Sequence, residues 1–316
     1  DLHWMVHSFP TRRSSDLNAL PPAVSRRRLD REVVKRCRLE RRPSETTLLR
    51  RAIRWTLRLS GLQRRGERNA NRPEVRHLVL PFDRLPRAFD GFRILHISDM
   101  HFSGRPGYLD AFCAIIDGRK TDLCVMTGDF PWCFTADYAP VYDGLDAILG
   151  RISARHGFAA VLGNNDTAAL IEPLEARGVH VLMNRAIAIR EGNDHLFVAG
   201  VDDPSDFRGD DLDSALEGVP ADAFTVLLAH APDIARQAAS RGVALYLCGH
   251  THGGQIRLPI LGALYTNSRA PRRYCGGPWR VEAMQGYTSY GIGTTAVPVR
   301  FNCPPEVADI ELRRGR

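Results

Sequence analysis

Residues 92–101 read FRILHISDMH, an apolar run that stops at Asp99 and His101. A short apolar run ended by polar residues is the pattern of a strand buried on both faces, and such strands belong to parallel sheets covered by helices. The arrangement returns four times downstream, as DLCVMTGD at 122–129, FAAVLGNND at 158–166, FTVLLAH at 224–230 and ALYLCGHTH at 244–252. A further run, 196–201, follows the turn signal Gly192-Asn193 and is predicted to pair with 181–190 as a hairpin. Segments 106–120, 137–154, 167–177, 212–217 and 232–241 read as helices, with Gly178 and Gly242 as stops. The alternation predicts an α/β layered domain whose functional residues sit on the loops after the strands.

Those loops hold the metal-capable residues. Asp99 and His101 follow the first run, Asp129 the second, and Asn164, Asn165 and Asp166 the third; His230 ends the fourth, and His250 and His252 follow the fifth. In extended chain, residues i and i+2 point the same way, so Asp99 with His101, and His250 with His252, are expected to reach one point each. Singly, each motif has a structural reading: GD is a common turn, and a histidine at a strand end is commonly a core residue. Together, Asp99, His101, Asp129, Asn164, His230, His250 and His252 offer carboxylate, amide and imidazole donors with no thiolate. That set suits manganese, iron, cobalt or catalytic zinc, and it is too large for one ion.

The 316 residues are 44% hydrophobic and 25% charged, leaving room for one large domain with an appendage or for two ordinary domains. No apolar stretch reaches the roughly 18 residues of a membrane-spanning helix. The seven cysteines include no C-x-x-C pair, which argues against a disulfide framework or thiolate zinc and fits a reducing, cytoplasmic compartment. The net charge of +7 is unevenly spread, since residues 1–76 hold 20 Lys and Arg against 8 Asp and Glu while the remainder is mildly acidic.

Residues 8–17, SFPTRRSSDL, are similar to the conceptual translation of a sequencing adapter, so 1–17 are read as an artefact or a disordered tail. On the first reading the natural start is missing, together with any signal or anchor before residue 18. Residues 18–76 form a basic amphipathic extension. Within it Leu48, Ala52, Trp55, Leu59 and Leu62 make one helical stripe, and Arg50, Arg54 and Arg58, with Arg51 beside them, make another. Such a helix suits peripheral contact with an anionic inner-membrane surface. It equally suits packing on the body with its arginines in water. No nucleic-acid partner is expected, because no aromatic-interleaved module accompanies the charge.

In order, the D-x-H, GD, GN-x-D, H and GHTH blocks resemble the calcineurin-like metallophosphoesterases. SDMH, GHTHGGQIRLP, NSRAPRRYCGG and GIGTTAVPVRFNCPPE further resemble a bacterial, membrane-associated, phosphodiesterase-like branch, over residues 77–312. The resemblance implies that 77–316 is a four-layer α-β-β-α sandwich holding two divalent ions. Asp99, His101, Asp129 and His252 would take one ion; Asp129 as a bridge, Asn164, His230 and His250 would take the other. A hydroxide between the ions would attack phosphorus in line.

One position departs from that pattern: Asn165 stands where many members have a histidine that protonates the leaving oxygen. An amide donates a hydrogen bond but is no general acid near neutral pH, which favours leaving groups that depart unprotonated. Asn165 and Asp166 are therefore the candidate catalytic residues beyond the ligands, with an alternative structural role for Asn165 in orienting Asp166. Asn165, Gln255 and Arg300 are the candidate substrate contacts, Arg300 for its bidentate fit to phosphate. The function expected is hydrolysis of a phosphodiester or pyrophosphate, the substrate being lipid-linked if the basic helix meets a membrane. A phosphomonoesterase and a non-catalytic metal-binding scaffold of the same fold are the alternatives.

Overall fold

The apolar runs form the middle of two six-stranded sheets in the computed structural model, which describes residues 26–41, 45–102, 107–263, 265–295 and 297–315. In spatial order the first sheet is Glu74–Phe82, Glu306–Arg314, Arg93–Ile97, Leu123–Met126, Phe158–Ala160 and Val179–Val181. The second is Gly277–Val281, Met284–Thr288, Leu245–Cys248, Thr225–Leu228, Asp194–Gly200 and Arg185–Glu191. Within each sheet the strands that end in metal-capable residues run parallel to one another, so their loops emerge at one end.

Alternation along each strand produces the layers. From the first sheet Ile94, Val125, Val161 and Ile310 face Val198, Val226, Leu245 and Leu247 of the second, making an inter-sheet core. The opposite residues of the first sheet, Leu95, Ile97, Cys124 and Met126, pack under Phe112, Ile116, Leu145 and Leu174 from the helices Tyr108–Ile116, Ala139–Leu149 and Ile171–Ala176. Those of the second sheet, Ala199, Leu227 and Tyr246, pack under Ala215, Ala235 and Ala238 from the short helices Leu212–Ala215 and Ala235–Ser240. The fold is thus an α/β four-layer α-β-β-α sandwich.

Some expectations shift. The segment 181–190 is not one strand: Val179–Val181 closes the first sheet, the chain turns at Asn184 with φ 53°, and Arg185–Glu191 opens the second. The helices expected over 106–120 and 137–154 are shorter, because Arg119–Thr121 and Ile152–Ala154 pair as a small parallel ribbon.

Among the described residues three helices precede Glu74–Phe82: α1 (Arg26–Arg41), α2 (Glu45–Leu59) and α3 (Gln63–Ala70). The expectation for residues 1–17 lies outside the described residues, as do the side chains of Leu48 and Arg50. Helix α2 docks through Ile53 and Leu57 onto Ile256, Val297, Val299 and Phe301. The predicted stripe is not the docking face, since Trp55 is 60% exposed and Leu59 83%. In α3, Gly66 lets the helix close on the tail, where a Cβ would stand 2.6 Å from Val299 Cβ.

Candidate metal centre

The loops at the strand ends turn sharply inward. Asp99, His101, Asp129, His250 and His252 all have left-handed backbone, with φ of 51°, 47°, 58°, 70° and 50°. Such a conformation costs of order 1 kcal/mol for a residue with a Cβ and persists only where surrounding contacts impose it. The i, i+2 argument is therefore corrected: the side chains converge because each loop curls, not because the chain stays extended. It also separates His250 from His252, which face different neighbours.

One half of the cup joins Asp99, His101 and His252, whose ligand atoms lie within 4.8 Å of one another. His101 donates from Nδ1 to the Pro131 carbonyl at 3.0 Å, which leaves Nε2 turned inward, 3.0 Å from His252 Nε2. Burial, then the proximity of His101 and Arg300, holds His252 well below the ordinary histidine range, so its imidazole is neutral and fit to be a ligand. The other half joins Asp129, His230, His250 and Asn164. His230 donates from Nδ1 to the Thr127 carbonyl at 2.7 Å and presents Nε2 at 3.0 Å from Asn164 Oδ1 and 3.1 Å from His250 Nδ1. His250 is fixed through Nε2 on the Asn267 carbonyl. A carbonyl backing one ring nitrogen is the usual way a protein aims the other at a metal.

Asp129 lies between the halves, its Oδ2 3.6 Å from His101 Nε2 and its Oδ1 3.4 Å from His230 Nε2. Burial raises its pKa, but His230, His101 and the Asn165 backbone amide outweigh that and keep it lowered. Burial lowers the pKa of His230, but Asp129, Asp99 and Asp203 outweigh that and push it up to about 9. The carboxylates thus create a field that attracts positive charge. With converging imidazole nitrogens and no thiolate, the residues fit divalent ions.

The remaining candidates fall differently. Asn165 is half-buried and donates from both its backbone N and its Nδ2 to Asp129, each at 2.8 Å, so it orients Asp129 rather than Asp166. Asp166 is fully buried and accepts from the backbone amides of Asp129, Phe130 and Gly163 at 2.8, 2.9 and 2.6 Å. Burial and then Asp129 push its pKa up to about 6. Its expected catalytic role is corrected to stapling the GD and GN loops together. Gln255 is corrected as a substrate contact: its amide is spent on Thr295 and Val297 carbonyls and the Thr295 N–H. Arg300 is likewise corrected. It is fully buried, donates to the carbonyls of Tyr290, Gly291, Gly293 and Cys303, and lies 3.3 Å from His252 Nδ1. Sequence reasoning missed Arg28, whose contacts to the Asn164 loop had no signal in an arginine-rich stretch.

Residues 92–254 match the calcineurin-like phosphoesterase family, a span that runs from the strand before Asp99 to just past the GHTH loop and so holds every loop of the cup. The chain belongs to that family. This calcineurin-like phosphoesterase is a metal-dependent enzyme of phosphoester substrates. It is 31% identical to an uncharacterized metallophosphoesterase of Bacillus subtilis, YkuE, over 72% of this chain and 82% of the relative. It is 30% identical to the phosphodiesterase YaeI of Escherichia coli, over 70% of this chain and 82% of that protein. A transmembrane protein with metallophosphoesterase domain from Bos taurus is 31% identical over 77% of this chain, which spans only 58% of that relative. Among the described residues of the phosphoesterase, no helix is long and apolar enough to cross a membrane.

Proposed function

We propose that this chain hydrolyses a phosphodiester or pyrophosphate bond with two divalent ions held on either side of Asp129. The observation that carries the reading is the division of the Asp129 carboxylate, one oxygen toward His101 and the other toward His230. The ions, when bound, supply water activation and neutralise the phosphoryl oxygens. Asp99, His101 and His252 would hold one, and Asn164, His230 and His250 the other. Asn165 holds Asp129 in place and offers an amide donor at the rim without a transferable proton. Phosphoanhydrides and activated esters leave without one, whereas alkoxides do not. Turnover of an aryl phosphodiester with added Mn²⁺, exceeding that of the aryl monoester and falling about 10³-fold or more in Asp129→Ala, is the expected result. Full activity of Asp129→Ala contradicts the proposal.

We further propose that the substrate is borne on a lipid surface. Trp55, Leu59 and Leu62 stand exposed beside the exposed arginines Arg51, Arg54 and Arg58, and the hairpin that leaves the GHTH loop carries Ile260 and Leu261 into solvent. An anionic bilayer matches both the apolar and the cationic parts of that surface. Co-sedimentation with anionic vesicles, weakening as salt rises, is expected for the natural chain and reduced in the triple variant Trp55→Ser, Leu59→Ser, Leu62→Ser. Equal binding by the variant contradicts the lipid reading and leaves the hydrolase reading intact.

A further inference from the structure

We infer that α1 is a strap that fixes the Asn164 half of the cup, with Arg28 and Lys35 as positioning residues for the ion held there. The inference rests on the two-ion reading. It starts from a helix docked by its charged side: Leu29, Val33 and Val34 are 46%, 62% and 58% exposed, while Arg28 is fully buried. Apolar burial is what ordinarily docks a surface helix. A buried guanidinium costs several kcal/mol to desolvate and breaks even only when paired and hydrogen-bonded, so stability alone gives no reason to bury this face.

What the charged face does is hold one loop. Arg28 pairs with the Asp202 carboxylate and donates from Nη2 to the carbonyls of Asp166 at 2.7 Å and Gly163 at 3.4 Å, the residues flanking Asn164 and Asn165. Its Nε donates to Glu32 at 2.8 Å, and the same Glu32 oxygen accepts from the Ala168 backbone at 2.9 Å, just past the loop. The guanidinium lies 4.0 Å over the Phe207 ring. Two turns beyond Arg28, Lys35 donates to the Asn164 carbonyl at 2.6 Å and to Asp206 Oδ2 at 2.7 Å. That Asp206 oxygen also accepts from Asn164 Nδ2 at 3.4 Å, which leaves Asn164 Oδ1 aimed at His230. The strap thus sets both the path of the loop and the direction of the amide oxygen that would meet the ion.

Titration of the metal-free, full-length protein with Mn²⁺, followed by calorimetry, tests this. The natural chain is expected to bind two ions. Arg28→Ala is expected to weaken one of them 10- to 100-fold, the range for loss of a partner behind a ligand, and to leave the other unchanged. Arg28→Lys falls between, since an ammonium cannot span the same fork. Lys35→Ala acts in the same direction as Arg28→Ala and decides the matter if Arg28→Ala does not fold. Val33→Ser, on the outward face, changes neither ion. Two unchanged ions in folded Arg28→Ala, or equal weakening of both, overturn the strap while leaving the two-ion reading standing. Fewer than two ions on the natural chain overturns both.

Discussion

Arg28 and Arg300 are the two largest fully buried side chains among the described residues, and they stand behind opposite halves of the cup. Arg300 comes from the C-terminal tail and backs His252; Arg28 comes from the N-terminal extension and backs the loop of Asn164. Their charges are balanced differently. Arg300 is surrounded by backbone carbonyls, and burial holds its pKa below the ordinary arginine value. For Arg28 burial pulls the same way, but Asp202 and Glu32 outweigh it and raise the pKa. The tail buttress is thus part of the domain's own interior, tied into loops 290–303 and through its backbone to α3. The extension buttress is an ion pair brought to the surface of a finished domain. The first half of the cup should therefore be inseparable from the fold, and the second adjustable.

That contrast breaks first on stability. Arg300→Ala strands several carbonyls and opens a hole behind His252, and it is expected to cost about 3–5 kcal/mol in denaturant unfolding. A smaller effect follows on chemistry at the adjustable half. Asn165→His places an imidazole beside Asp129, and it is expected to raise turnover of alkyl phosphodiesters up to about 10²-fold while changing aryl diesters little. No gain on alkyl esters would show that leaving-group protonation does not limit this site. The least effect sharpens the contrast: Arg28→Ala should cost clearly less than Arg300→Ala in the main unfolding transition, because α1 belongs to neither sheet core and can lift away, which returns Asp202 to water. A loss comparable to that of Arg300→Ala would make the two buttresses equivalent.

The layered fold was legible because strands buried on both faces leave unbroken apolar runs, and five of the six runs end in metal-capable residues. The strands Glu74–Phe82, Gly277–Val281, Met284–Thr288 and Glu306–Arg314 were not read. Glu74–Phe82 and Gly277–Val281 are edge strands, where one partner and mixed exposure weaken the pattern; Met284–Thr288 and Glu306–Arg314 have two partners each, but Gln285 and Gly286 interrupt the one and Glu306 and Asp309 the other. The cup's membership was legible from residue type and position, but its geometry was not, because left-handed loops are imposed by contacts distant in sequence. Asp166 reads like a catalytic group and is held by three backbone amides. Arg300 reads like a phosphate clamp until its burial is known. The face by which α2 docks was missed because Ile53 and Leu57 lie among alternatives of equal hydrophobicity, and only the tail decides between them.

The central claim is that Asp129 joins two ions, one in each half. Crystals grown with Mn²⁺ and measured for its anomalous scattering test it most directly. The account predicts two manganese peaks about 3.5–4 Å apart, each within coordinating distance of one Asp129 oxygen. A single peak, or two peaks of which only one touches Asp129, would contradict it.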